Sequence, residues 1–581
     1  MPARLFHRLR NRIARRALPV WYSPSYRLPM SGVEAAVGLE PRRADYVAWW
    51  LLDSRALDAR DLRTPRRVTF EELDRVHTLE LIDSLGRPET LARVFAVDPS
   101  EVPVDALMET VRLACGGTLD AAREALARRG PALNLQGGFH HAGPNTAGGF
   151  CPVNDVAVAI AALRAEGFGG RVVVLDLDAH PPDGIAACLA GDGAAWIGSI
   201  SGSDWGPLPR VDETVLREGS GDGAYLGALA ALLGRMPRAS LAFVLAGGDV
   251  LAGDRFGRLA LSLAGARRRD REVARALEGT ASVWLPAGGY HRDSWRVLAG
   301  TAMLLAARSD APIPARYDPL GARFAGISAE LRASDLGDTE FTSADLEEAL
   351  GLAPQRRRLL LNYYTAEGLE HALYRYGILD QLRRLGYSGF RIKLDRAGLG
   401  ERMSLMGDWA GAQHLLIELV VERRRLEGSD VLYVHWLCLR NPRAQFSAIR
   451  PALPGQEVPG LGLAREIGEL LALMARRLDL GGVVIRPAHF HTAYSARHNF
   501  FFVDPARQGR FEALVRDLAH LPLREATAAV SEGRVLLDGA PYAWEADEMV
   551  LWLRPAAAAG RGEAVARERE RRRFTVSART A

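Results

Sequence analysis

Lysine is nearly absent from this 581-residue chain: of 74 basic side chains only Lys393 is a lysine, and the rest are arginines. With abundant Ala, Gly and Leu, this bias reads as codon usage in a GC-rich bacterial genome. Net charge is only +4, and no compact basic patch with interleaved aromatics occurs, so no nucleic-acid partner is expected. Cysteine is scarce too. Cys115, Cys151, Cys188 and Cys438 are far apart and form no CxxC pair, which argues against a disulfide framework and a thiolate zinc site. No apolar run reaches the roughly 18 residues of a membrane span. The N-terminus lacks the apolar core of a secretory signal, so a cytoplasmic location is expected. No tandem repeat or long low-complexity tract is present.

What the chain does have is apolar material for two ordinary domains, at 48% hydrophobic. Residues 1–19 read as a basic amphipathic segment, with Arg4, Arg8, Arg12, Arg15 and Arg16 around a stripe of Leu5, Leu9 and Ile13. Such a helix packs on its own protein or, through residues 1–18, lies on an anionic membrane surface. Residues 20–312 form the first expected domain and 313–555 an accessory α/β or α+β domain. Residues 556–581 form a charged tail, expected to be exposed or disordered.

In the first domain, apolar runs at Ala132–Leu135, Val172–Leu175, Leu241–Ala246 and Val283–Ala287 alternate with helical patterns, one of them capped by Asn154 or Asp155. Continuous apolar strands separated by helices predict a doubly wound, mainly parallel sheet covered on both faces. In such sheets ligands bind beyond the carboxyl ends of the strands. The four runs are followed by "QGGFHHAG", "DLDAHPPDG", "GGDVLAGDRFGRL" and "GGYHRDSW", so their polar groups should meet at one site.

Within "LDLDAHPPDG", Asp176, Asp178 and His180 alternate, which puts all three on one side of an extended segment. Carboxylates and an imidazole facing together call for a positive partner, and a divalent cation is the first candidate. Asp178 and His180 with an Asp from another strand end would make a three-ligand site with open positions. Asp254 is the natural third ligand, and Asp249 is the competing choice. His140 and His141, in a glycine-rich loop, can accept a proton from a water acidified by the metal. Asp176 and Asp183 are placed to orient the two rings. Tyr290, after Gly288 and Gly289, can donate a hydrogen bond to an oxyanion. An Asp-His-Asp set accepts Fe2+ or Co2+ as well as Zn2+.

The ordered set "NLQGGFHHAGPNTAGGFCPVND", "VVVLDLDAH", "GGDVLAGDRFGRLALSLAG" and "PAGGYHRDSW" closely resembles the zinc-dependent histone deacetylase family. "GGTLDAAREAL" and "GDRFGRLALS" look most like its class IV branch. With "WYSPSY" and residues 69–85, the resemblance covers roughly residues 20–310. It implies the arginase–deacetylase α/β fold and hydrolysis of an acyl-amine, either acyl-lysine or an acylated small amine. It also implies zinc on Asp178, His180 and Asp254, and a general base and acid pair in His140 and His141 backed by Asp176 and Asp183. Tyr290 would polarise the scissile carbonyl. Phe150 would line an acyl tunnel, the Gly149 carbonyl would meet the substrate amide, and Gly288 and Gly289 would border the substrate. A potassium ion would sit near Asp176, Ser199 and Ile200. The chain departs from the family at Pro181 and Pro182, where His or Gln and then Gly are usual. It also lacks the usual His-Pro in "RLPMSGVEAAVGLEPRRADYV", so an altered substrate rim is expected. Two other readings stand beside hydrolysis: an acyl-amine binder that has lost catalysis through the Pro-Pro change, and a bifunctional chain.

The second reading rests on "PGQEVPGLGLAREIGELL", where Gly460 and Gly462 precede a helix whose amides could meet a pyrophosphate. This weakly resembles the acetyl-CoA loop of GNAT acetyltransferases, with Glu457 where that motif has Gln or Arg. "PAHFHTAY" puts His489 and His491 on one side of a possible strand, a metal pair lacking a third ligand or a polar surface pair.

Overall fold

The computed structural model describes residues 11, 17–307, 309, 311–337, 358–448, 450–554 and 562–577. The amphipathic stripe expected at the N-terminus lies outside them. The chain divides into two compact units, Met1–Pro319 and Leu320–Ala581. Among the described residues no helix is long and apolar enough to cross a membrane. The four cysteines are free thiols.

In the first unit the strands are β1 (Val20–Trp21), β2 (Leu62–Arg63), β3 (Pro131–Asn134), β4 (Val172–Asp176), β5 (Ala195–Ser201), β6 (Val211–Val215), β7 (Leu241–Leu245) and β8 (Ala281–Leu285). They form one sheet in the order β2-β1-β3-β8-β7-β4-β5-β6, and every pairing is parallel. This is the arginase–deacetylase arrangement expected of the sequence. The helices that cover it include α1 (Val104–Arg128), α2 (Asp155–Ala165), α3 (Asp183–Cys188), α4 (Asp222–Arg235), α5 (Leu263–Ala276) and α6 (Ser294–Ala307). The central strands β4, β7 and β8 are buried along their whole length, which is why they read as unbroken apolar runs. Four further strands, β1, β2, β5 and β6, carry no such run, being short or partly exposed.

Two buried polar residues fasten the loop after β3. Asp155, first residue of α2, accepts from the backbone N–H groups of Gly138 (3.0 Å) and Phe139 (2.7 Å) and from the Thr118 hydroxyl (2.6 Å). Asn154 caps the same helix by accepting from Ala157 N–H. His77 sits between loop and helix: its Nδ1 lies 2.9 Å from the Gly143 carbonyl, and Asn154 N–H donates to its Nε2 at 2.9 Å. Both contacts are satisfied together by one neutral tautomer, with the proton on Nδ1.

The second unit contains β9 (Ser388–Ala397), β10 (Gly400–Trp409), β11 (Ala412–Leu426), β12 (Ser429–Leu439), β13 (Gly482–Ile485), β14 (Phe501–Phe502) and β17 (Met549–Trp552), in the order β14-β17-β13-β12-β11-β10-β9. Helices α7 (Ala366–Arg375), α8 (Ile378–Arg384) and α9 (Ala464–Arg477) contribute to a core that includes Leu369, Leu379, Leu405, Leu419, Ile467 and Leu471. Gly377, with φ +76°, separates α7 from α8 and is the N-cap of α8. Among the described residues the one parallel pair in this sheet is β12 with β13, bonded from Leu432–Val434 to Val483–Ile485. "PAHFHTAY" is not a strand. His489 is the N-cap and His491 the second residue of helix α10 (Phe490–Ala496).

Where it is described, the charged tail is ordered, and its helix buries no residue. After α11 (Pro505–Asp517) and α12 (Leu523–Ser531), residues 562–571 form α13 and residues 574–576 form β18. β18 pairs with β15 (Val535–Leu537), which also pairs with β16 (Ala540–Pro541). Arg572 bridges Glu568 and Asp538, each at 2.7 Å, and Phe574 is buried. The charges pair with one another, and one aromatic anchors the segment.

Burial holds the His77 pKa below its ordinary value, against the pull of the Gly143 and Pro144 backbone. A histidine favoured neutral in the fold contributes fully above its unfolded pKa of about 6.5, and that contribution is lost as pH falls. The stability difference between the wild type and His77→Gln, from urea midpoints, should therefore shrink between pH 7.5 and 5.5. A difference independent of pH would contradict this.

Candidate metal centre and acyl tunnel

The carboxyl ends of β3, β4, β7 and β8 deliver their polar groups to one cavity of about 430 Å³. Asp178 and His180 line it, and together with the fully buried Asp249 they offer ligand atoms that all lie within 4.8 Å of one another. His180 Nδ1 stands 3.1 Å from Asp178 Oδ1 and 3.0 Å from Asp249 Oδ2. Both carboxylates are wholly buried. Two features let them approach. The backbone N–H of Gly288 donates to Asp178 Oδ2, and Gly288 has no Cβ, which would fall 2.6 Å from Asp178 Oδ2 and 2.7 Å from Asp249 Oδ2.

Asp249, the competing choice, stands in this trio, while Asp254, the expected third ligand, lies on the loop that follows it. Asp249 follows Gly248 just beyond β7, and Ala179 N–H fixes its Oδ1 at 3.1 Å. Asp254 instead folds back on its own loop, Oδ1 accepting from Phe256 and Gly257 N–H at 3.0 Å each, the geometry of an Asx turn. Its Oδ2 accepts from Tyr290 N–H at 2.7 Å. Asp254 therefore braces the tyrosine loop.

Two His–Asp pairs stand beside the trio. His140 Nδ1 is 2.9 Å from Asp176 Oδ2, and His141 Nδ1 is 2.7 Å from Asp183 Oδ1. The rings are 4.0 Å apart. Against the opposing effect of burial, Asp176 and Asp178 raise the His140 pKa to about 9. Burial and then His140 lower that of His141. The two imidazoles are thus driven to different protonation states, with the Nε2 of His141 available as an acceptor. In the trio, burial and then Asp178 push Asp249 up to about 8, while His140, His180 and Asp249 overcome burial to hold Asp178 well below the carboxylate range. A pair of buried carboxylates beside one imidazole is a donor set that calls for a cation.

Pro181 and Pro182 do not displace His180. Its own N–H donates to Asp178 Oδ1 at 3.1 Å, and Asp183, directly after the prolines, opens α3 and so reaches His141.

Aromatic rings wall the approach. Phe150, Phe256 and Tyr290 stack on one another with centroids 4.8–5.8 Å apart. Gly149 allows the tight passage, since a Cβ there would lie 2.5 Å from His141 Cδ2 and its φ is +55°. Sequence reasoning missed Trp205, which stacks 5.3 Å from His141 and 6.1 Å from His180 while remaining 53% exposed. It lies in a loop after β5, a strand with no apolar signature. Arg43 was missed as well; its guanidinium donates to the carbonyls of Ala287 (2.8 Å) and Gly288 (3.0 Å) and holds the loop carrying Tyr290. Gly289, with φ +144°, packs against Ser294 in that loop.

Asp176 and Ser199 are register neighbours on β4 and β5, and Ile200 follows, all fully buried. Among the described residues Ser199 Oγ has no hydrogen-bond partner. In the second unit Gly462 has φ +72° and Gly460 O accepts from Arg450, while Glu457 pairs with Arg440 at 2.6 Å. His489 and His491 stack 5.6 Å apart. Among the described residues no third ligand joins them.

A histone deacetylase domain profile matches residues 38–305. Histone deacetylase 2 of Arabidopsis thaliana is 30% identical over 296 residues, spanning 48% of this chain and 76% of that protein. Acetoin utilization protein AcuC of Bacillus subtilis is 36% identical over 172 residues, 28% of this chain and 44% of that protein. A solved structure described as an HDAC homolog complexed with SAHA is 22% identical, covering 51% of this chain and 85% of its own, with a TM-score of 0.42. With a domain match over residues 38–305 and a 30% identical relative of which it covers 76%, this chain belongs to the histone deacetylase family.

Proposed function

We propose that the first unit is a metal-dependent amidohydrolase that removes an acetyl or longer acyl group from an amine, either acyl-lysine or an acylated small amine. The observation that carries this is the Asp178–His180–Asp249 trio at an aromatic-walled cavity, flanked by two His–Asp pairs. Its one nitrogen and two carboxylates suit Zn2+, and Fe2+ or Co2+ as well. Bound there, such a cation supplies a Lewis acid for the amide carbonyl and acidifies a water.

The chain's own groups do the rest. Phe150, Phe256 and Tyr290 surround an extended acyl-amine, and the Gly149 carbonyl accepts its amide N–H. His141, held by Asp183, takes the proton from the attacking water at Nε2. The Tyr290 phenol donates to the carbonyl oxygen as charge develops. His140, paired with Asp176 and with its ring 4.0 Å from that of His141, is the second ionisable imidazole at the reacting centre. Collapse breaks the C–N bond and passes the proton from His141 to the departing amine, leaving a carboxylic acid and a free amine. The unpartnered Ser199 Oγ beside Asp176 fits a monovalent cation such as K+, with Ile200 alongside.

Tyr290→Phe should lower turnover by about 10²-fold or more while metal content stays unchanged. Unchanged turnover would remove the phenol from the mechanism. Asp249→Ala should lose metal, whereas Asp254→Ala should retain it and impair turnover through the Tyr290 loop. Metal analysis of the two purified variants reads this directly, and the reverse pattern would contradict the assignment.

A second reading concerns the second unit. β12 runs on to Leu439 after its bonding to β13 stops at Val434, and α9 starts just after the Gly460–Gly462 turn. A parallel pair that parts before a helix N-terminus favours a pyrophosphate-bearing acyl carrier such as acetyl-CoA. Calorimetry of the full chain with acetyl-CoA should give saturable binding below about 1 mM. Absence of heat at that concentration would contradict it.

A further inference from the structure

Where parallel strands leave a sheet, their carbonyls lose ladder partners, and a buried carbonyl then needs another donor. β4 and β7 are neighbours, and both leave the sheet at the metal centre. The carbonyl of Leu177 immediately precedes Asp178, and that of Gly247 lies two residues before Asp249. One side chain reaches both. Arg269 on α5 is fully buried, and its Nη1 donates to Gly247 O at 2.8 Å and to Leu177 O at 3.3 Å. The Tyr225 hydroxyl adds a 3.4 Å bond to Leu177 O. Arg269 Nε donates to Asp270 Oδ1 at 2.9 Å, and the Thr301 hydroxyl donates to Asp270 Oδ2 at 2.6 Å.

A wholly buried ion pair is a poor way to gain stability, because apolar residues of the same volume usually serve as well or better. Its distinguishing property here is which atoms it holds. We infer that Arg269 is a positioning residue for the metal centre, a guanidinium staple across the ends of β4 and β7 that sets the spacing of Asp178 and Asp249. The inference rests on the metal-site reading above. It needs the planar fork of an arginine, which reaches two carbonyls through one nitrogen while Nε holds Asp270.

The test is Co2+ titration of the full chain, followed by visible absorption, with urea unfolding of the metal-free chain alongside. Arg269→Met with Asp270→Leu removes the pair without leaving a lone buried charge. This double variant should unfold cooperatively and bind Co2+ about 10- to 100-fold more weakly, the range found when groups that orient metal ligands are lost. Wild-type affinity in the folded double variant would overturn the inference. If that variant does not fold, Arg269→Lys carries the test, since it keeps the charge without the fork. A clear loss of affinity supports the staple and unchanged affinity overturns it. A wild-type chain that binds no Co2+ would instead defeat the metal-site reading, and this inference with it.

Discussion

Asp178 and Asp249 face the same imidazole with no exposure to water. Two such carboxylates repel one another at close range in a poorly screening interior, and a positive partner between them relieves that cost. The surrounding structure is arranged to hold them there. Gly288 leaves the space a Cβ would fill, amides of Gly288 and Ala179 each fix one oxygen, and Arg269 ties together the two strand ends from which the carboxylates project.

The same arrangement gives the adjacent histidines different surroundings. His140 lies between two carboxylates and is driven to the cation, whereas His141 has one carboxylate and a cationic neighbour and is driven neutral. Two residues of one type, next to each other in sequence, are thereby shifted in opposite directions by their surroundings. Phe150, Phe256, Tyr290 and Trp205 pack around the approach to this pair and narrow it. The loop bearing Tyr290 is tied down by Arg43, by Asp254 and, through the Gly288 amide, by Asp178 of the trio.

Much of this was legible in the sequence because strands buried on both faces must be apolar throughout. Those runs located four strand ends, and what followed them located His140, His141, Asp178, His180 and Tyr290. The ladder could not choose between Asp249 and Asp254. Both lie in an irregular loop, where periodicity assigns no direction to either carboxylate. β5 was invisible because its partly exposed start breaks the apolar run, and Trp205 was lost with it. His489 and His491 show the converse error: alternation suggested a strand, but His489 caps a helix. The C-terminal charges looked like a solvated tail, yet pairing of Arg572 and burial of Phe574 order them.

The most direct measurement is a crystal structure of the Zn2+-loaded chain with anomalous diffraction recorded at the zinc edge. The account predicts one strong peak about 2.0–2.2 Å from Asp178, His180 and Asp249, with Asp254 still turned to the Phe256, Gly257 and Tyr290 amides. A peak bound by Asp254 in place of Asp249, or no peak at this trio, would contradict it.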